Sequence, residues 1–292
     1  MNLKCTLSFS FRRGQLLCPI RTGFTLIDLL AVIAVLALFT AMLAPICART
    51  RPNITVTQCQ NNLRQLGAAW GMYANDSEGQ LVYNKDGTPA GKTAGYESWV
   101  AGWLTRDWPS TLNNTDNTNV LFLVDHEATP YGAFLGPYIK KPSPFRCPAD
   151  KLSVTIAGQP MQRVRSYSMN NFVGLKGRTW TSNSRFRLFT KLAQFKAPSQ
   201  VFVFIEEHPD VINDGFFFSD PDTRYLMIDW PSSIHNGGCT FSFADGHAEI
   251  HRWRDARTMP PLYPAIPLQL NVTMFTNVDI DWLHQHASEA HP

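Results

Sequence analysis

The feature that most constrains this chain is an apolar run from Phe24 to Ala48, 25 residues that carry one charge, Asp28. A helix of about 20 apolar residues crosses the hydrocarbon core of a bilayer. The run is therefore expected to be a transmembrane helix, and no other stretch of the chain is long enough. Residues 1–23 hold Lys4, Arg12, Arg13 and Arg21 and no acid, so the formal net charge of +3 conceals a leader of +4. The remainder has 22 bases against 23 acids. Positive charge before an apolar run keeps the N-terminus in the cytoplasm and sends the rest across. A remainder so close to neutral offers no basic surface for nucleic acid.

A secretory signal would place a small-residue cleavage site after the run, but Ala44-Pro45-Ile46-Cys47-Ala48-Arg49 has a proline inside it. An uncleaved anchor is the other plain reading. The junction itself reads Gly23-Phe24-Thr25-Leu26-Ile27-Asp28-Leu29-Leu30. It closely resembles the cleavage and methylation motif of type IV prepilins and type II secretion pseudopilins. The resemblance implies a cut between Gly23 and Phe24 by a prepilin peptidase, with methylation of Phe24. The family usually has glutamate where this chain has Asp28. There it faces the free amine of a neighbouring subunit, because a carboxylate in apolar surroundings is costly unless paired. Aspartate keeps the charge and is one methylene shorter. Pro45 stands where pilin helices often kink.

Beyond Pro52, residues 57–76 read as a second helical stretch. Cys59, Leu63, Leu66, Trp70 and Tyr73 recur at spacings of three and four, which marks one face and predicts packing on a sheet. Arg51-Pro52-Asn53 can bend the helix. Unbroken, residues 25–75 would extend about 75 Å. Cys59-Gln-Asn-Asn-Leu-Arg-Gln-Leu-Gly67, Phe145-Arg-Cys-Pro-Ala-Asp150 and Arg165-Ser-Tyr-Ser-Met-Asn170 resemble a large group of prepilin-like proteins. So does His235 followed after nine residues by Asp245-Gly246, the H-X9-DG signature. The fold implied is α+β: a long N-terminal transmembrane helix packed on an antiparallel β-sheet, pilin-like. The organisation expected is a basic leader at 1–23, a transmembrane helix at 24–48 and its continuation at 49–76. An extracytoplasmic domain at 77–292 follows, with a C-terminal hairpin at 239–252.

Residues 77–144 are rich in turn formers, and short elements are expected to interrupt them. Trp99, Trp103 and Trp108 punctuate this stretch, as sheet cover or as stacking platforms for sugar. Val201–Glu206 reads as a buried strand. Two alternating runs flank Asp245-Gly246, a two-residue type I′ turn. Pairing out from that turn sets Phe243 opposite Ala248 and Phe241 opposite Ile250. It leaves His247, Glu249 and His251 on a wet face.

Glu206, His208 and His235, with Glu207 nearby, are candidate metal ligands, although a hydrogen bond locking a loop is the preferred reading of His235. Asp210, Asn213, Asp214, Asp220 and Asp222 are candidates for calcium by analogy with major pseudopilins, although turn chemistry explains them too. Cys59 and Cys147 are a candidate disulfide, permitted outside the cytoplasm. Cys47 and Cys59, 12 helical residues apart, lie about 18 Å from one another and should not pair. Cys239 reads as a small core residue.

The function expected is that of a structural subunit: a pseudopilin-like component of a type II secretion or type IV pilus-like assembly. Its partners would be prepilin peptidase, other pilin-like subunits and the membrane, with no nucleic acid. It would sit in the inner membrane as a single-pass protein with its C-terminal domain periplasmic or extracellular. The alternative is a membrane-anchored module that binds glycan or secreted cargo. No nucleophile–base pair or phosphate loop points to an enzyme.

Overall fold

A computed structural model describes residues 25–107, 110–174, 185–262 and 267–291, with side chains described outside 40–54. The leader, Gly23, Phe24 and Trp108 fall outside the described residues. The chain divides into two compact units, Met1–Thr50 and Arg51–Pro292.

Helix α1 (Leu26–Asp76) contributes to both units. In the first unit its large apolar side chains from Leu26 to Phe39 are exposed all round. In the second, Cys59, Leu63, Leu66 and Trp70 of the expected stripe are buried and Tyr73 is half-buried, with Ala69 and Ala74 buried beside them. The helix stops where Glu78 and Gly79 take positive φ, and the Gly79 amide closes back on the Ala74 carbonyl at 2.7 Å.

Short helices α2 (Leu121–Val124) and α3 (Gly136–Ile139) interrupt the turn-rich connection. The strands follow: β1 (Ser153–Ile156) and β2 (Gln159–Gln162) as a separate hairpin, then β3 (Tyr167–Asn170), β4 (Phe202–Glu206) and β5 (Phe216–Phe217). Next come β6 (Leu226–Met227), β7 (Gly238–Phe243), β8 (Ala248–Arg252), β9 (Val272–Thr273) and a final helix α4 (Val278–Ala287). The main sheet has the order β5-β3-β4-β7-β8. Its inner strands β3, β4 and β7 are buried at every residue, which requires cover on both faces. On one face Gly67 of α1 passes over Ser242, and Trp99 packs on Phe204 with ring centroids 4.8 Å apart. On the other, Trp282 of α4 meets Phe241 at 5.1 Å.

The expected fold, a long N-terminal transmembrane helix packed on an antiparallel sheet in the pilin manner, is corrected here. The sheet that dominates the core is mixed, because β5 pairs with β3 in parallel. Both edges of β4 are taken, by β3 and β7, so the returning chain joins beyond β3 and runs in the same direction as that strand. Among the described residues no helix is long and apolar enough to cross a membrane. The expected span, 24–48, continues past Phe39 into residues whose side chains are not described.

The C-terminal hairpin is present with a register one residue from that expected. Phe241 stands opposite Glu249 and Thr240 opposite Ile250. The connection is Ala244-Asp245-Gly246, in which only Gly246 has positive φ (90°). That is a three-residue loop with the glycine in the left-handed position, not a type I′ turn. A shift of one residue exchanges faces. His247 and His251 therefore share the face of Phe243 and Phe241: His247 stacks on Phe243 at 4.4 Å and His251 on Trp282 at 3.7 Å.

Candidate functional site: a buried cysteine, histidine and glutamate cluster

Four elements converge where α1 crosses the sheet. Cys59 comes from the buried stripe of α1, and Cys147 from the loop that follows the 3-10 turn Ser143–Phe145. Glu206 is the last residue of β4, and His235 lies in the loop leading into β7. Cys59 and Cys147 form a disulfide with Cα atoms 5.2 Å apart. His235 Nε2 lies 3.1 Å from Glu206 Oε2 and 3.4 Å from Cys147 Sγ. The candidate ligand atoms of all four residues lie within 4.8 Å of one another, and all four residues are buried.

The surroundings hold these groups in place. Thr240 Oγ1 donates to Glu206 Oε2 at 2.8 Å, whereas Glu206 Oε1 is buried with no hydrogen-bond partner. The Ala149 amide points at Cys147 Sγ from 3.4 Å. Arg252 donates to the carbonyls of His235 and Asn236 at 3.0 and 2.8 Å and so fixes the loop that carries the imidazole. Burial with the Glu206 carboxylate nearby pushes the Tyr167 phenol well above its ordinary range and does the same to the Cys239 thiol. Cys239, the free cysteine among the described residues, points its sulfur at the Glu206 carbonyl at 3.1 Å.

The segments on which the family resemblance rests meet around this cluster. The Ser166 amide donates to the Phe145 carbonyl at 2.9 Å, and Ser166 Oγ donates to Asp150 Oδ2 at 2.8 Å. Arg165 is fully buried and donates to the carbonyls of Tyr167 and Asn213 at 2.9 and 3.1 Å. Burial pulls its guanidinium down to about 10, against the pull of the Glu207 and Asp214 charges. His235 and Asp245-Gly246 stand at opposite ends of β7. Six strand residues extend about 20 Å, so the nine-residue spacing measures one strand and its approach rather than one site.

Of the candidate metal ligands, Glu206 and His235 are brought together and His208 is not. β4 ends at Glu206, the chain turns at His208-Pro209, and the His208 imidazole faces Asp210 at 3.6 Å. Burial lowers His208 to about 4, so it is neutral near neutral pH. The calcium candidates are spread over separate turns. Asp210 pairs with Arg106, Asp222 with Arg185, and Asp220 caps the 3-10 turn Pro221–Thr223. Asp214 accepts the amides of Gly87 and Phe216 at 2.6 and 2.9 Å.

A separate cavity of about 280 Å³ is lined by Asp86, Trp103, Asp214, Phe216, Phe218 and Asp229 among others. Burial raises Asp214 to about 6 and Asp229 to about 7. Trp103 thus lines an acidic cavity. Trp99 is core, its indole N–H donating to the Gly215 carbonyl at 2.8 Å.

At the start of α1, Asp28 accepts the amide and hydroxyl of Thr25 at 2.8 and 2.7 Å. Its carboxylate closes the first turn of its own helix.

Joining the disulfide to Glu206 and His235 was beyond linear reading, since the cysteines and the acid–histidine pair are far apart in sequence. The one available signal is that Cys59, Cys147 and His235 each lie in a stretch carrying the family resemblance. The chain matches no family model, no curated protein and no solved structure.

Proposed function

We propose that this protein is a pseudopilin-like structural subunit of a type II secretion or type IV pilus-like assembly. A prepilin peptidase cuts it between Gly23 and Phe24. The observation that carries the reading is the exposure of every large apolar side chain from Leu26 to Phe39, Leu26 at 76% and Phe39 at 61%. A helix apolar on all sides is stable only when covered. Lipid of the inner membrane covers it before assembly, and helices of other subunits cover it afterwards. Asp28 is the one charge in that surface and sets the register between subunits. The Cys59–Cys147 disulfide suits a domain that lies beyond the cytoplasm.

The test is mass spectrometry of the mature N-terminus. Methylated Phe24 is the expected result. An intact leader, or a cut after residue 44, overturns the reading.

The acidic cavity beside Trp103 favours a second reading, a membrane-anchored module that holds glycan or secreted cargo. An aromatic wall beside buried carboxylates suits a hydroxyl-rich or cationic ligand. Cross-linking between copies through residues 26–39 separates the two. A ladder of oligomers supports the subunit, and a monomer that retains glycan supports the module.

A further inference from the structure

We propose that Cys59, Cys147, Glu206 and His235 form a zinc-class metal site that opens when the Cys59–Cys147 disulfide is reduced. The proposal does not depend on the pilus reading. Two thiolates, an imidazole and a carboxylate are a donor set for tetrahedral zinc, with metal–ligand distances of about 2.0–2.3 Å. Those distances put ligand atoms about 3.3–3.8 Å apart. His235 Nε2 is already 3.1 Å from Glu206 Oε2 and 3.4 Å from Cys147 Sγ. All four ligand atoms fall within 4.8 Å of each other, so opening the S–S bond and small side-chain rotations suffice.

The independent sign of a missing ligand is Glu206. Its side chain is fully buried, and Oε1 has no hydrogen-bond partner. A buried carboxylate oxygen left bare is costly, and a cation at the centre of the cluster would satisfy it. The outer groups are of the type that orient metal ligands: Thr240 on Glu206, the Ala149 amide on the Cys147 sulfur, and Arg252 behind the His235 loop.

The chemistry balances. A dithiol reductant donates two electrons and two protons and leaves as its own disulfide, while Cys59 and Cys147 become thiols. A divalent metal then binds both sulfurs as thiolates and releases two protons to solvent. Oxidation reverses the sequence and expels the metal. The same cluster thus holds α1 in either state, to the Cys147 loop through S–S or to that loop, β4 and the His235 loop through the ion.

The test uses the full chain in detergent, as prepared and after anaerobic reduction with a trialkylphosphine, which is converted to its oxide with one water. Cobalt(II) is the probe. The expected result is one equivalent bound only after reduction. It should show thiolate-to-cobalt charge transfer and the strong visible bands of tetrahedral cobalt, and zinc should displace it. Cys147→Ser should cut the charge-transfer band to about half or less, since one thiolate of two remains, and His235→Ala should weaken binding at least about tenfold. Circular dichroism checks that each variant is folded, and the oxidised and reduced wild type are compared without any substitution. Equal binding before and after reduction overturns the proposal. So does the absence of stoichiometric cobalt once thiol titration shows the bond open. A domain that unfolds on reduction and is not restored by metal overturns it as well.

Discussion

Helix α1 contains two segments that differ in apolar content and in fate. From Leu26 to Phe39 the apolar residues occupy every side of the helix and are exposed. From Cys59 to Ala74 they occupy one stripe, buried against the sheet, while Asn61, Arg64 and Gln65 carry the polar side. The first segment is apolar at every position but Asp28, whereas the second mixes apolar with polar residues. Angular distribution follows: a stripe can be satisfied by one sheet, whereas an all-round apolar surface needs cover from every direction. The first segment is thus built for an environment that the domain does not supply.

The comparison breaks most sharply at Trp70. Trp70→Ala removes a large side chain from the buried stripe, where it packs edge-on to Phe195 at 6.1 Å. It should cost about 3–5 kcal/mol of domain stability in urea unfolding of the full chain in detergent. Ile33→Ser, in the exposed segment, should leave that stability within about 0.5 kcal/mol yet lower the fraction of protein recovered with membranes. Equal effects on stability would erase the distinction between the segments.

The disulfide ties the stripe to the loop after Phe145. Cys59→Ser should lower stability by about 2–5 kcal/mol, given the long loop of 88 residues that the bond closes. Unfolding with and without reductant measures it: the wild type should lose stability on reduction, and the variant should not.

A smaller effect comes from the acidic cavity. Burial holds Asp214 at about 6 and Asp229 at about 7, both raised from the ordinary carboxyl value. These two groups therefore bind more protons in the folded domain than in the unfolded chain between about pH 4 and about pH 7, so their contribution to stability falls as pH rises through that window. His208, His251 and His284, each lowered to about 4 by burial, act in the opposite sense between about pH 4 and about pH 6.5 and offset that slope. Asp229→Asn should gain roughly 1–3 kcal/mol near pH 8 and little near pH 4. A urea midpoint series against pH reads both slopes. No change in slope would remove Asp229 as its source.

The smallest effect on the domain is expected at the helix start. Asp28→Ala removes an exposed contact to Thr25 and should change domain stability by less than about 0.5 kcal/mol. On the proposed role of Asp28 in setting the register between subunits, cross-linking between copies should still fall.

Short-range patterns were legible in the sequence because their physics is local. The buried stripe of α1, the buried strand β4 and the existence of the hairpin all follow from periodicity and from Asp-Gly between alternating runs. The hairpin register did not follow. Whether two or three residues close the turn depends on the φ of Asp245, which neighbours set and composition does not. The error of one residue moved His247 and His251 from water onto aromatic rings.

The amino-acid sequence by itself determined the basic stretch before Gly23, the apolar run with its lone Asp28, and the helical stripe, because charge, length and period act along the chain. Only the tertiary structure decided that β5 would join in parallel, since that depends on which edges of β4 were occupied. It alone brought Cys59, Cys147, Glu206 and His235 within reach of one another. Those residues belong to four elements, and contact between elements is fixed by how the sheet and helix pack, a long-range property that no local window contains.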